Sequence, residues 1–129
     1  MSETGFRIQL RILPFIGPGK MLLLDGIERH GSISAAARAL NMSYARAWRL
    51  IETMNRRFKS PLVSKAPGGQ GGGGAHLTEA GRTVLEVYRS MEERVHTLFA
   101  TDMEILERML LPLEEQTPAA GPQRSDFRG

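Results

Sequence analysis

Arg46 and Arg49 stand three positions apart, with Ser43, Tyr44, Trp48 and Thr53 around them. On a helix that spacing sets the two guanidinium groups on neighbouring turns of one face. A guanidinium presents a planar fork of donors that matches guanine O6 and N7, or a phosphate. Ser43 and Tyr44 add hydroxyls able to reach a phosphate or a base edge. The plainer reading is a charged solvent face on a bundle helix. Charge distribution favours the first. The chain has 129 residues and a net charge of +3, but Arg38 to Lys65 holds seven Lys or Arg against the single acid Glu52, or +6, leaving −3 elsewhere. One region is therefore an expected polyanion-binding surface. Arg56, Arg57 and Lys59 come late in the same helix, where they suit phosphate or the negative end of the helix dipole.

Other chemistries find little support. There is no Cys, which removes disulfide scaffolds, Cys-based zinc sites and thiol nucleophiles. His30, His76 and His96 show no i, i+3 or i, i+4 pairing, so each reads as a surface or packed histidine, with no metal and no cofactor expected. Glu92-Glu93, Glu104 with Glu107, and Glu114-Glu115 read as a solvated helix face. No nucleophile, base and orienting group can be assembled, and the reading is not an enzyme. The opening MSETGFRIQLRIL lacks the basic-then-apolar order of a signal peptide. No apolar run approaches the ~20 residues of a membrane span, so a soluble, cytoplasmic chain with no membrane partner is expected.

The elements that must position these side chains follow from periodicity. Phe6, Ile8, Leu10 and Ile12 alternate with Arg7, Gln9 and Arg11, predicting a half-buried strand over 6–13. Pro14 and Gly17-Pro18-Gly19 break the chain. A first helix over 20–30 carries Met21, Leu23, Leu24 and Ile27 on one stripe and ends at Gly31. Ser32 caps a short Ala-rich helix over 33–40, whose small side chains permit a tight helix pair. Asn41-Met42 makes the turn, and Ser43 caps a third helix over about 43–59 with Ala47, Ile51, Met54 and Phe58 facing the core.

Pro61 stops that helix, and Leu62 to Lys65 reads as a short strand. Six of the 14 glycines then fall within 68–74, before a return strand at Ala75-His76-Leu77. A phosphate-cradling loop needs Gly-Lys-Ser or Gly-Lys-Thr opening a helix, and no such triplet occurs. A flexible linker is the bland reading. A β-hairpin wing fits better, with a tip over 66–75 lying on the backbone or the minor groove. The fold class is mainly α: a winged helix-turn-helix with a small β-hairpin wing and a long C-terminal dimerisation helix. The domain reading is strand, helix-turn-helix and wing over 1–77, a long helix over 78–115 and a disordered tail over 116–129.

From about Gly17 to Leu98 the chain resembles the winged helix-turn-helix domain of the ModE family of bacterial molybdate-responsive regulators, and more weakly the LysR-type DNA-binding domain. The residues carrying the resemblance are Gly31-Ser32-Ile33-Ser34-Ala35-Ala36-Ala37, Met42-Ser43-Tyr44-Ala45-Arg46-Ala47-Trp48 and Met54-Asn55. The glycine run 68–74 and Leu77-Thr78-Glu79-Ala80-Gly81 complete them, and this last pair is the most specific. The resemblance implies a dimeric transcription factor whose third helix reads DNA through Ser43, Tyr44, Arg46 and Arg49. Trp48 falls on a recognition-side position as well, although a lone Trp at helical spacing more often packs. The expected DNA-contacting set is Ser32, Ser34, Ser43, Tyr44, Arg46, Trp48, Arg49, Thr53, Lys65 and Gln70. ModE regulators continue into C-terminal oxyanion-binding domains with a Ser-x-Arg-Asn-type motif, which Ser125-Asp126-Phe127-Arg128 does not match, so this chain is expected to lack them.

Residues 78–111 as one helix would span roughly 50 Å, too long for a small domain to cover. Val84, Tyr88, Met91, Val95, Leu98, Asp102, Ile105 and Met109 step by four and three, as in a coiled-coil seam with one polar member. The early turns are expected to pack on the chain's own first strand and helix, and the seam is read as a homodimer interface. A helix break near Thr101-Asp102 is left open. A symmetric dimer would present two third helices about 34 Å apart on a palindromic duplex site. Two further readings stay open: a sensor binding molybdate or another oxyanion at the dimer interface or a helix N-terminus, and a non-DNA interaction module using the long helix.

Overall fold

The computed structural model describes residues 6–12, 14–65 and 74–111. The elements are α1 (Pro18–His30), α2 (Ile33–Ala39), α3 (Tyr44–Arg57), β1 (Val63–Lys65), β2 (Ala75–Leu77), α4 (Glu79–Leu98) and α5 (Ala100–Arg108). The mainly helical class and the order from α1 through the hairpin to α4 agree with the sequence reading.

Each boundary has a local cause. Pro18 sits in the first turn of α1, where its missing N–H is harmless. Gly31 ends the helix at φ 73°, a left-handed position that suits glycine, and donates to Ile27 O at 2.8 Å. The hydroxyl of Ser32 accepts from Ala35 N at 3.0 Å to open α2. Asn41, at φ 58°, turns the chain, and Met42 N closes back on Ala37 O at 2.9 Å. Ser43 then opens α3 by accepting from Arg46 N at 3.1 Å.

The core forms where α1, α2, α3 and α4 meet. Leu23, Leu24 and Ile27 of α1 are buried with Ala36 and Ala37 of α2 and with Ala47, Ile51 and Met54 of α3. The α1 and α3 stripes are those the periodicity predicts, with Phe58 half-buried at the end. A methyl at Gly26 would stand 3.1 Å from Ala36 Cβ, so α1 and α2 approach as closely as the small side chains imply. β1 and β2 pair antiparallel in the register Val63↔Leu77, Ser64↔His76 and Lys65↔Ala75. Ala75 N also donates to Gly31 O at 3.0 Å, which ties the hairpin base to the corner between α1 and α2.

Two expectations need correction. Residues 6–12 form no strand in a sheet; among the described residues this segment bridges at Ile12, which pairs with Ile16 across the turn. The alternation survives as burial, with Phe6, Ile8 and Leu10 half-buried and Arg7, Gln9 and Arg11 exposed. An extended segment lying on a surface shows period two whether or not another strand pairs with it. Here α4 supplies the partners: Ile8 N donates to His96 Nε2 at 3.0 Å, and Tyr88 Oη donates to Leu10 O at 2.7 Å.

The second correction concerns the long helix. It bends at Phe99, ahead of the Thr101-Asp102 pair, which lies inside α5. Phe99 adopts φ −105° and ψ 20° without a side-chain cap. Its N–H reaches Val95 O at 2.9 Å and closes α4, while its carbonyl accepts from Met103 N at 3.0 Å and opens α5, so one residue ends one helix and begins the next.

Candidate nucleic-acid interface

Around α3, at about 100° per residue, the buried stripe leaves three distinct exposures. Tyr44 and Trp48 lie on the edge toward β1, Arg49 and Arg56 point outward, and Arg46, Thr53 and Arg57 lie on the opposite edge. Arg46 and Arg49 are both exposed, about 60° apart around the axis. Tyr44 is half exposed at the first turn of α3.

Both edges are built against other segments. On the β1 side, Lys65 Nζ stands 4.7 Å from the centroid of the Trp48 ring, a cation–π contact. Trp48 is half-buried and packs against the core, so the indole serves mainly as a platform that holds a wing cation beside α3. On the other side the Arg57 guanidinium lies 4.8 Å above the Phe15 ring, docking the loop before α1. Thr53 is half-buried and lines a shallow hollow with Arg56 and Arg57.

The bases on this surface outnumber its acid, Glu52, and carry no ion pair among the described residues. Among the described residues the ion pairs are Asp25–Arg29, at 3.0 Å, and Asp25–Arg89, which together brace α1 and α4. None involves a base of α3 or the wing. A face of this kind attracts anions over distances near the Debye length, about 8 Å at physiological salt.

The remaining expected contacts divide. Ser32 and Ser43 spend an oxygen lone pair on helix caps, Ser32 half-buried and Ser43 exposed, while Ser34 is exposed in the first turn of α2. Lys65 is exposed at the end of β1. Gln70 and the hairpin tip over 66–73 lie outside the described residues, as does the tail over 116–129.

Residues that fix the wing escaped the sequence reading. The Asn55 carboxamide Oδ1 accepts from Leu62 N at 2.8 Å and Val63 N at 3.2 Å, while Nδ2 donates to Val63 O at 3.1 Å. Thr78 Oγ1 accepts from Gly81 N at 3.0 Å and donates to Pro61 O at 2.7 Å. A Cβ on Gly81 would meet Leu62 O at 2.1 Å, so only glycine fits where α4 crosses β1's approach. Arg82 Nη1 donates to Leu77 O at 3.2 Å. The positions were visible as Met54-Asn55 and Leu77-Thr78-x-x-Gly81, but nothing local shows that they clamp the wing to α3 and α4.

The expected seam also divides. Tyr88 is buried and Val84 packs beside it in this chain's own core, so neither is free to form an interface. Met91 and Val95 are half-buried, whereas Leu98, Ile105 and Met109 are exposed. Burial, and then the charge of Glu92 one turn on, raise the Tyr88 phenol above its ordinary value of 10.0.

Residues 19–82 match the family described as bacterial regulatory helix-turn-helix protein, lysR family. Over the whole chain the protein is 35% identical to the molybdenum transport protein ModE of Azotobacter vinelandii, of which it covers 52%. It is 43% identical over 79 residues to the molybdenum-pterin-binding protein MopA of Rhodobacter capsulatus, covering 61% of this chain and 30% of that one. It is 42% identical over 87 residues to the DNA-binding transcriptional dual regulator ModE of Escherichia coli K12, covering 67% of this chain and 33% of that one. The chain thus spans between about a third and about half of these relatives' length. Among solved structures, the CbnR DNA-binding domain in complex with DNA has the same fold, with a TM-score of 0.54 at 19% identity, covering 68% of this chain and 95% of that one.

Proposed function

Residues 19–82 belong to the lysR family of bacterial regulatory helix-turn-helix proteins, and from that premise we propose that the chain is a DNA-binding transcriptional regulator acting as a cytoplasmic homodimer. The observation that carries this reading is the unpaired basic face of α3, held between a wing cation and a docked loop. α3 enters the major groove, where Arg49 and Arg46 take guanine edges and Tyr44 and Ser43 meet the adjacent backbone. Ser34, Thr53 and Lys65 bind phosphate, and the tip with Gln70 follows the backbone or minor groove.

The exposed apolar residues on either side of Phe99 support the dimer. Leu98 and Met109 are 71% and 77% exposed, and Ile105, Leu106 and Leu110 are about half exposed. Contiguous apolar surface on a regulator-type domain is normally covered. A second copy is the occupant that also doubles the DNA-reading surface, on a palindromic site with half-sites about 34 Å apart or a multiple of one turn.

The test is selection of duplexes from a random library by the full chain, then binding of the Arg46→Ala, Arg49→Ala double variant to selected and scrambled DNA. Readers of bases predict that the variant loses preference for the selected sequence. Equal wild-type affinity for both duplexes would sink the reading. Because relatives carry molybdenum in their names, the titration is repeated with molybdate; a shift in affinity favours an oxyanion-responsive regulator as the second reading.

A further inference from the structure

The loop before α1 is bonded into a closed turn and then laid on α3. Ile12 N donates to Ile16 O at 2.8 Å and Ile16 N returns to Ile12 O at 3.0 Å. Phe15 lies under Arg57 near one end of α3. Near the other end, an open cavity of about 90 Å³ is lined by Arg11, Ile16, Gly17, Lys20, Arg46 and Leu50, among others. Three of its lining side chains are cations and none is an acid. None of the three belongs to an ion pair among the described residues.

The arrangement is built rather than accidental. The Arg11 Cγ lies 3.8 Å from where a Gly17 Cβ would stand, so the stem of Arg11 runs along the start of α1. Lys20 is half-buried in the first turn of that helix, and Arg46 comes from α3. Three cationic residues lining one cavity without an acid among them repel one another, and an anion placed in the cavity relieves that repulsion. Gly17 gives α1 no side-chain cap, so the positive end of the helix adds to the same field.

We propose that Arg11 and Lys20, together with Arg46, form a seat for a phosphate of the DNA backbone, flanking the groove that α3 enters. The anion class follows from the cation cluster, and the commitment to DNA follows from Arg46, which the seat shares with the reading face; this rests on the DNA-binding function proposed above. Arg46 therefore has two roles available, base edge or phosphate, while Arg49 has only the outward one. The seat is a positioning contact, reading no sequence and setting the tilt of α3 against the duplex.

The experiment uses the full chain with Arg11→Gln, Lys20→Gln and Arg49→Ala, each checked for folding by circular dichroism. Two independent positions keep the test decisive if one variant fails to fold. Affinity for a selected and a scrambled duplex is measured from about 50 to 300 mM salt. Arg11→Gln and Lys20→Gln are each expected to weaken both duplexes by a similar factor, roughly three- to tenfold, and each to flatten the slope of log affinity against log salt by a part of the ~0.9 that one phosphate contributes. Arg49→Ala is expected instead to narrow the gap between the two duplexes. Unchanged slopes in both Gln variants, with wild-type binding intact, overturn the seat alone. A wild type that binds no duplex overturns the DNA-binding reading and the seat with it. Unchanged slopes combined with sulfate-dependent thermal stabilisation of the wild type, lost in the variants, would assign the cavity to a free oxyanion and equally overturn the proposal.

Discussion

The carboxamide of Asn55 both accepts from and donates to the backbone of Val63, at 3.2 and 3.1 Å, and so joins α3 to the first strand of the wing. Oδ1 also takes Leu62 N at 2.8 Å. One side chain replaces the ladder partner that a short edge strand lacks, and the hairpin cannot pivot on α3 without breaking these bonds. Asn55→Ala leaves the Leu62 and Val63 amides without that acceptor in a part-buried position, at about 2 kcal/mol. Denaturant unfolding measures the loss, and hydrogen exchange at Leu62 and Val63 should speed up more than at Leu24; equal protection in variant and wild type would remove the clamp from the account.

Gly81 carries a tighter backbone approach than Gly17, Gly19, Gly26 or Gly31. Gly81→Ala drives a methyl into the Leu62 carbonyl, and neither neighbour is a flexible side-chain end. Destabilisation of about 3 kcal/mol is expected. Because Thr78 caps α4 at the same corner, Thr78→Val, which keeps shape and removes both hydroxyl bonds, should lower the melting temperature less than Gly81→Ala does.

Tyr88 gives a pH signature. Its phenol is buried, donates to Leu10 O and has its pKa raised in the folded state by burial first and Glu92 second. The folded pKa lies above the unfolded one. Its stabilising contribution is therefore fully present below about pH 10 and is lost as pH rises through the folded value. Tyr88→Phe should cost about 1 kcal/mol at neutral pH. Stability curves of variant and wild type should then converge above pH 10; parallel curves throughout would contradict the assignment.

The apolar surface from Leu98 onward predicts association. Leu98→Glu with Met109→Glu leaves the buried core untouched, since neither side chain belongs to it. Sedimentation equilibrium at micromolar concentration should show a dimer for the wild type and a monomer for the variant, with unchanged helicity. A monomeric wild type would refute the homodimer.

The N-terminal arm is held by His96, whose Nε2 accepts from Ile8 N. His96→Phe should raise hydrogen exchange at Ile8 while leaving the α1 amides protected, since the arm's packing is local to α4. Loss of protection through α1 as well would make the arm part of the core instead.

Much of the fold was legible because its signals are local. Capping serines, Gly31, the α3 stripe and the paired hairpin strands each depend on a few consecutive residues, and all stand where periodicity and turn chemistry place them. Residues 6–12 were misread because alternation reports an extended chain on a surface and says nothing of the neighbour. A break near Thr101-Asp102, which the sequence leaves open, falls at Phe99 instead of at the cap-like pair, because α5 opens from the Phe99 carbonyl, which accepts from Met103 N.

The candidate site divides in the same way. The basic segment, the arginine spacing and the cores of the helices follow from residue types and from the 3.6-residue period, which act over one or two turns. What only the tertiary structure decided is adjacency across long sequence separations. It put Lys65 over Trp48, Phe15 under Arg57, Asn55 on Val63, and Arg11 and Lys20 beside Arg46. It also assigned Tyr88 to the core of the single chain and left Leu98 and Met109 bare. A helical repeat marks which residues share a face, but which body covers that face depends on the packing of the whole chain.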